Sequence, residues 1–377
     1  MNKGWNLIRT VVFAFAVIWA LPAVAAGQSG RVAPTSSPTP HDDTERVLIE
    51  EIKLNVLAFD EHGGFFKDVT ANDLVITENN VLHQPASVRR LPANVLIVMD
   101  TGGELRSVKT LARTRKVAGS VVNSLRPGDS VAIMTYSDKA EIVAEWSDNK
   151  EQIFSAIKKT SFGRRSVFVD ALKLATDFLL KNPIENKHLV LITDGTDSRG
   201  RSSDKFDAFQ RLMATDISVH VLSYTSMEAA DVEPRTKGIS KSPPPKAMPD
   251  EVVNQLPNDV KIAAQRPKIG PTINLDRSLL KKMRSRKAEL ELSEQQLDKL
   301  SENTNGEFVV PMNFDDMENR AAPLVARMID SAYVVTYTPK VPVVSARGVA
   351  ERTIDVSSRR PGLIVQARRK VLIRQNN

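Results

Sequence analysis

The stretch NVLIVMD, residues 94–100, constrains this chain more than any other. Its apolar residues run on without alternation, so an extended segment here is apolar on both sides and needs a layer over each face. The residues after it show that these layers are helices. Leu105, Val108, Leu111, Ala112, Ala118, Val121, Val122 and Leu125 recur at three- and four-residue intervals, one apolar stripe along a helix that Pro127-Gly128 terminates. The pattern then repeats. Strand SVAIMTYS leads to helix NKEQIFSAIKKT, opened by a capping box at Asp148 and Glu151. A helical stripe at Val167, Ala171, Leu174, Ala175, Phe178 and Leu179 precedes strand HLVLITDG, helix SSDKFDAFQRLMAT and strand ISVHVLSY. Strands alternating with helices of this length predict right-handed βαβ units: an α/β fold with a doubly wound, mostly parallel sheet flanked by helices.

The ends of the chain have another pattern. In EIKLNVLAF, Ile52, Leu54 and Val56 alternate with polar residues, the two-residue period of a strand with one buried face; His62-Gly63-Gly64 supplies a turn. DLVITENN ends at the turn-prone Asn79-Asn80 pair and VLHQPASVRRL returns. YVVTYTP, ERTIDVSS and LIVQARRKVLI restore alternation at the C-terminus. Residues 46–91 and 333–377 thus form the two halves of one small antiparallel β domain, since neither half has enough strands to be stable alone. The α/β domain occupies residues 92–225 and 277–332. Its last part holds a helix that Ser293 and Gln296 cap and Gly306 closes, a short strand EFVVP, and a helix from Asn313 to Ala332 in which Pro323 is placed to form a kink. Between the two parts, residues 226–276 read as an exposed, partly disordered insertion, for eight of the chain's 21 prolines lie between Thr225 and Asp276.

Lys3 and Arg9 precede the apolar run TVVFAFAVIWAL, which gives way to small residues at Ala23, Ala25 and Ala26, the layout of a secretory signal over residues 1–26. That run falls short of the ~20 residues that span a bilayer, so no stable membrane span is expected after cleavage. Residues 27–45 read as a flexible leader, and the mature chain as periplasmic or extracellular. No cysteine is present, which excludes thiolate chemistry and disulfide staples. Loss of the signal removes Lys3 and Arg9 and no acid, lowering the net charge from +7 to +5. Eight basic residues between Arg347 and Arg374 against Glu351 and Asp355 leave a basic C-terminus suited to solvated strand faces or to contact with an anionic surface. No nucleic-acid motif accompanies it.

In an open parallel sheet, ligands gather at the carboxyl ends of the strands. Asp100 ends one strand, Asp194 in ITDGTDS ends another, and Ser166 in SFGRRSVFVDAL opens a helix on the same rim. Two carboxylates, a hydroxyl and waters suit a hard divalent cation such as Mg²⁺. The order of NVLIVMD, LRPGDSVAIMTYSD, GRRSVFVDALKLA and HLVLITDGTDS resembles a von Willebrand factor type A (VWA) domain, a Rossmann-like α/β fold. The β flanks further resemble the secreted bacterial VWFA-related, Acidobacteria-type group. The resemblance implies a metal-ion-dependent adhesion site built from Asp-x-Ser-x-Ser on a first loop, a Thr on a second and an Asp on a third. Asp100 and Asp194 match the carboxylates and Ser166 stands for the Thr. Gly102 and Glu104 occupy the places of the two serines, so the site is degenerate. Two outcomes stay open. Either Glu104 restores an oxygen and the site holds Mg²⁺, Mn²⁺ or Ca²⁺ through Asp100, Glu104, Ser166 and Asp194, or the loops dock partners without metal.

Asp100-Thr101-Gly102 also matches the triplet of aspartic proteases. Those enzymes are built of β-strands, whereas an amphipathic helix comes after Asp100. The five histidines, at 41, 62, 83, 188 and 220, show no metal spacing, and no Ser-His-Asp or phosphate-loop pattern stands out. The expected function is non-enzymatic: an exported protein-binding or adhesion module. The alternative is a structural or assembly component of an envelope complex, docking through the proline-rich insertion and the basic C-terminal strands without metal.

Overall fold

The computed structural model describes residues 51–103, 108–181, 183–198, 200–242, 253–266, 270–340, 349–368 and 370–374. The signal segment 1–26, the leader 27–45, Glu104 and residues 243–252 of the insertion lie outside the described residues. In chain order come β1 (Ile52–Phe59), β2 (Leu74–Glu78), β3 (Val81–His83) and β4 (Ser87–Arg89), then β5 (Asn94–Asp100), α1 (Leu111–Ser124), β6 (Ser130–Tyr136), β7 (Ala140–Ser147), α2 (Lys150–Lys159), α3 (Phe168–Lys181) and β8 (Lys187–Thr193). Next are α4 (Ser202–Met213), β9 (Ser218–Ser223), α5 (Thr225–Val232), the pair β10 (Ile239–Ser240) and β11 (Thr272–Ile273) with α6 (Asn258–Gln265) between them, and α7 (Arg277–Asn303). Last come β12 (Phe308–Val309), α8 (Ala322–Asp330), β13 (Ala332–Tyr337), β14 (Val349–Ser358), β15 (Ile364–Ala367) and β16 (Lys370–Arg374).

Among the described residues, six strands form one sheet in the order β12-β9-β8-β5-β6-β7, parallel except for β7. The apolar run of β5 feeds both faces. Val95, Ile97 and Met99 pack against α1, α2 and α8. Leu96 and Val98 pack against α3, α4 and the second half of α7. This is the doubly wound, helix-flanked sheet that the unbroken apolar strand demands. The antiparallel edge strand β7 departs from the expected run of βαβ units, for it joins β6 without an intervening helix. Its half-buried AEIVAEWS belongs to a strand with one covered face rather than to a buried parallel strand.

Several local expectations give way to tertiary contacts. Asn149, not Asp148, caps α2, its side chain accepting from the backbones of Glu151 and Gln152. Ser293 and Gln296 open no helix, because α7 runs unbroken through both. The C-terminus of α7 is closed by Asn305, at φ 56°, with Asn305 N–H bonded to Glu302 O and Gly306 N–H to Ser301 O. Position 306 is glycine because a Cβ there would stand 1.8 Å from the carbonyl oxygen of Val219. Pro323, lacking an N–H, is accommodated by a π-helical turn over Met317–Ala321 rather than by a break. The first residues of the expected insertion, 226–276, are ordered. Residues 225–236 are helical and bury Val232, Pro234 and Thr236 against α7, while Pro257 and Pro271 beyond them are exposed.

The terminal strands form two four-stranded antiparallel sheets, β15-β1-β13-β4 and β16-β14-β2-β3. Leu54, Val56, Leu74, Ile76, Val335, Tyr337, Ile354 and Val356 share one core between them. VLHQPASVRRL and LIVQARRKVLI each divide between the two sheets, the first around buried Pro85, which cannot donate to a ladder. Asn79 and Asn80, both at positive φ, make the two-residue turn joining β2 to β3. The described residues from 51 onward belong to one compact unit, and the sandwich meets the amino ends of the central strands. Asn55 donates to Ser218 Oγ (3.1 Å), Asn305 to the Asn55 carbonyl (2.8 Å), and Arg368 to the carbonyls of Thr215 and Ile217. Arg368 is buried, and the loss of solvent lowers its pKa to about 10 against the pull of Asp216. Arg352 is buried in an ion pair with Glu78. Two of the eight basic residues expected on a C-terminal surface patch are therefore interior, each with its own acceptors.

Candidate functional site

β5 is the switch point of the sheet. The chain leaves it for β6 on one side and later returns to β8 on the other, which opens a crevice at their carboxyl ends. Asp100 is the last residue of β5, and Asp194 comes directly after the last residue of neighbouring β8. Ser166 comes in from the loop before α3 and is tied to the Asp194 loop. Its Oγ donates to the Thr196 carbonyl (3.0 Å), and its backbone exchanges bonds with Ser198. The first loop joins through Gly102, which bridges Gly163, with Gly103 N–H bonded to Gly163 O. Positions 100, 166 and 194 thus share one edge of the α/β body. Glu104 lies outside the described residues.

Each oxygen of the Asp100 and Asp194 carboxylates has a hydrogen-bond donor or a cationic partner from the protein. Asp100, 0% exposed, accepts from Gly102 N–H at Oδ1 (3.2 Å) and faces Lys109 Nζ at Oδ2 (2.6 Å). Lys109 is 2% exposed, and its own backbone N–H is held by Glu228 Oε1 of α5 (3.2 Å). Asp194, also 0% exposed, accepts at Oδ1 from the N–H (2.9 Å) and hydroxyl (2.7 Å) of Thr196, while Oδ2 faces Arg286 Nη2 at 3.3 Å. Arg286 reaches in from α7, 92 residues along the chain. Two turns further on the same helix, Ser293 Oγ donates to the Asp194 carbonyl (2.7 Å). Lys205 of α4 donates to the Gly195 carbonyl (2.8 Å). Burial lowers the Lys205 pKa to about 8, and the neighbouring Asp194, Glu289 and Asp197 carboxylates oppose that shift. Burial also raises the Tyr224 hydroxyl, helped by Asp100 and Glu228, although its bond to Thr114 works the other way. Beside this network, a cleft of about 110 Å³ opens between α4 and α7, lined by Thr196, Asp197, Arg201, Lys205, Glu289 and Ser293.

Asp100, Ser166 and Asp194, as the described residues place them, do not fit a divalent ion. Mg²⁺ needs oxygens at about 2.0–2.1 Å in octahedral array, yet the ammonium of Lys109 sits on the Asp100 oxygen that would face it. Position 102 carries no hydroxyl and has no space for one, because a Cβ there would fall 1.7 Å from the carbonyl oxygen of Arg165. Among the described residues, no group of three acidic, histidine or cysteine side chains comes together to hold a metal. Lys109, Arg286 and Ser293 are among the site residues that sequence patterns miss. Ser293 looks like a helix cap, and nothing in the sequence around Arg286 points 92 positions back to Asp194.

Residues 95–196 match the family model of the von Willebrand factor type A domain, and the α/β body has that fold. No curated protein matches the chain. Among solved structures, the chain is similar to the conserved hypothetical protein BatB from Bacteroides thetaiotaomicron, with 17% identity over 63% of this chain and 98% of that one and a TM-score of 0.37. It is similar to an aerotolerance-related membrane protein from Bacteroides fragilis, with 17% identity, the same two coverages and a TM-score of 0.39. A third is a von Willebrand factor type A protein from Catenulispora acidiphila, at 10% identity over 87% of this chain and 74% of that one, with a TM-score of 0.32.

Proposed function

We propose that this chain is an exported, non-catalytic protein-binding module of the secreted bacterial VWFA-related kind, docking its partner on the carboxyl rim of the VWA sheet. The observation that carries this reading is the placement of the two ends of the sheet. The β sandwich takes the amino ends of the strands through Asn55, Asn305 and Arg368. At the opposite end, three loops are fastened to one another and present the exposed Arg164, Arg165 and Arg201. A rigid scaffold that displays loops on one edge is the form binding sites commonly take. The buried carboxylates serve as internal anchors of those loops rather than as a reacting pair: each is bonded to cationic or N–H donors, so neither is placed to activate water as the protease triplet would require. The secretory signal pattern supports a periplasmic or extracellular location. Among the described residues, no helix is long and apolar enough to cross a membrane.

The test is capture from the envelope fraction of the source cells, comparing wild type with Arg164→Glu/Arg165→Glu, which leaves the buried network intact. A partner retained by the wild type and lost by this variant supports the rim. Equal capture by both sinks it.

A second reading, docking as an assembly component, is favoured by one specific observation. Ile239 and Ile273 pair across β10 and β11 and are 74% and 61% exposed, with Leu275 beside them at 88%. Single exposed apolar residues are ordinary, but an outward cross-strand pair within the insertion is a candidate contact. Ile239→Ser/Ile273→Ser abolishes capture under this reading and leaves it unchanged under the first.

A further inference from the structure

The VWA fold brings an expectation of a bound divalent ion, and the side chains at the rim contradict it. We propose that the cation of this site is built into the polypeptide: Lys109 and Arg286 are resident counter-ions of Asp100 and Asp194, and the rim works without metal. This rests on the reading of the rim as the docking edge but does not depend on which partner docks there.

Three observations converge. The first is charge. Two buried carboxylates are matched by Lys109 at 2.6 Å and Arg286 at 3.3 Å, with Lys205 close by on the Gly195 carbonyl. Each of the two carboxylates already has a cationic partner, and to reach Asp100 an ion would have to displace an ammonium that is 2% exposed. The second is space. The loop position that supplies a hydroxyl ligand in the family is Gly102, zipped to Gly163 and backed by the Arg165 carbonyl, so the backbone itself fills the volume where that ligand would stand. The third is anchorage. Lys109 is fixed by Glu228, which holds its backbone N–H from α5. Arg286 and Ser293, seven residues apart on one face of α7, grip the side chain and the carbonyl of Asp194 respectively. Lys109 lies within the family-matched segment, while elements that come after it provide Arg286 and the clamps Glu228 and Ser293.

The experiment uses the full mature chain and Mn²⁺ as probe. Titration monitored by the electron paramagnetic resonance signal of free Mn²⁺ is expected to show no saturable loss up to millimolar metal. The melting midpoint is expected to be the same in Mg²⁺, Mn²⁺, Ca²⁺ or chelator, since any ion bound by the folded state alone would raise it. Saturable Mn²⁺ binding that Asp194→Asn removes overturns the proposal while leaving the docking reading intact, with an ion added to the rim. The counter-ion role has its own readout. Asp100→Asn is expected to lower the midpoint, and adding Lys109→Met to be largely restorative. Losses from the two changes that simply add overturn the proposal even if no metal binds.

Discussion

Replacing Lys109 by methionine keeps most of the side-chain volume, removes the ammonium and strands the Asp100 carboxylate in a position 0% exposed. At the observed 2.6 Å, two unit charges attract by about 6 kcal/mol at an effective dielectric of ~20. Much of that gain offsets desolvation of the pair, so the measurable loss on breaking it is set by the uncompensated partner, about 3–5 kcal/mol. Asp100→Asn leaves the ammonium stranded instead and falls in the same range. The amide can still accept from Gly102 N–H through Oδ1, so that bond is not what is lost. In the double variant neither charge remains, and buried pairs replaced by neutral groups of similar volume are often close to neutral in stability. The expected pattern is therefore two large single losses and a much smaller double loss, with a coupling of at least ~2 kcal/mol. Guanidinium or thermal unfolding reads it. At ~2–4 °C per kcal/mol for domains of this size, each single variant melts roughly 6–20 °C below the wild type. Single losses that add to within ~0.5 kcal/mol in the double variant refute the reasoning, because they would mean that Lys109 and Asp100 contribute independently of each other.

Three further perturbations have defined outcomes. Gly102→Ser, which restores one letter of the family motif, is expected to cost about 1–3 kcal/mol or more through overpacking against Arg165 O and to confer no Mn²⁺ binding; a stable, Mn²⁺-binding variant contradicts this. His220 and His188 are fully buried and neutral in a chain that runs from Glu307 N–H to His220 Nδ1, from His220 to His188 Nδ1 and from His188 Nε2 to Asn186 Oδ1. Burial lowers both pKa values, His220 to about 3, so the unfolded chain binds protons below its ordinary pKa that the folded chain refuses. Stability is thus intact above pH ~6.5 and falls as pH drops toward 3, at up to about 1.4 kcal/mol per pH unit per histidine; urea midpoints from pH 7 to 4 should show the slope, and His220→Gln should show about half of it. Asn305→Ala is expected to cost about 1–2 kcal/mol more than Asn305→Gly, because both lose the bond to the Asn55 carbonyl but only alanine is strained at φ 56°; equal losses would place the whole effect in the side-chain bond.

The sequence determined the layers. An apolar run without alternation in β5, stripes at helical spacing after it and alternating strands at both ends lead to a helix-flanked parallel sheet with a separate antiparallel body, because hydrophobic period is a local property read directly along the chain. It also placed Asp100, Ser166 and Asp194 on one edge, since strand ends in a parallel sheet must lie together. Local signals failed where long-range contacts outweighed them. Ser293 has the spacing of a cap yet lies mid-helix with its hydroxyl on the Asp194 carbonyl, and Arg352 and Arg368 count as surface charge in sequence yet are interior. Only the tertiary structure decided what neutralises the rim. An ion pair between Asp194 and Arg286 joins positions 92 residues apart, and nothing in the local pattern of either residue encodes the distance to the other. Charge compensation in a buried site is a property of the three-dimensional neighbourhood, set by which side chains the packed helices carry to that point.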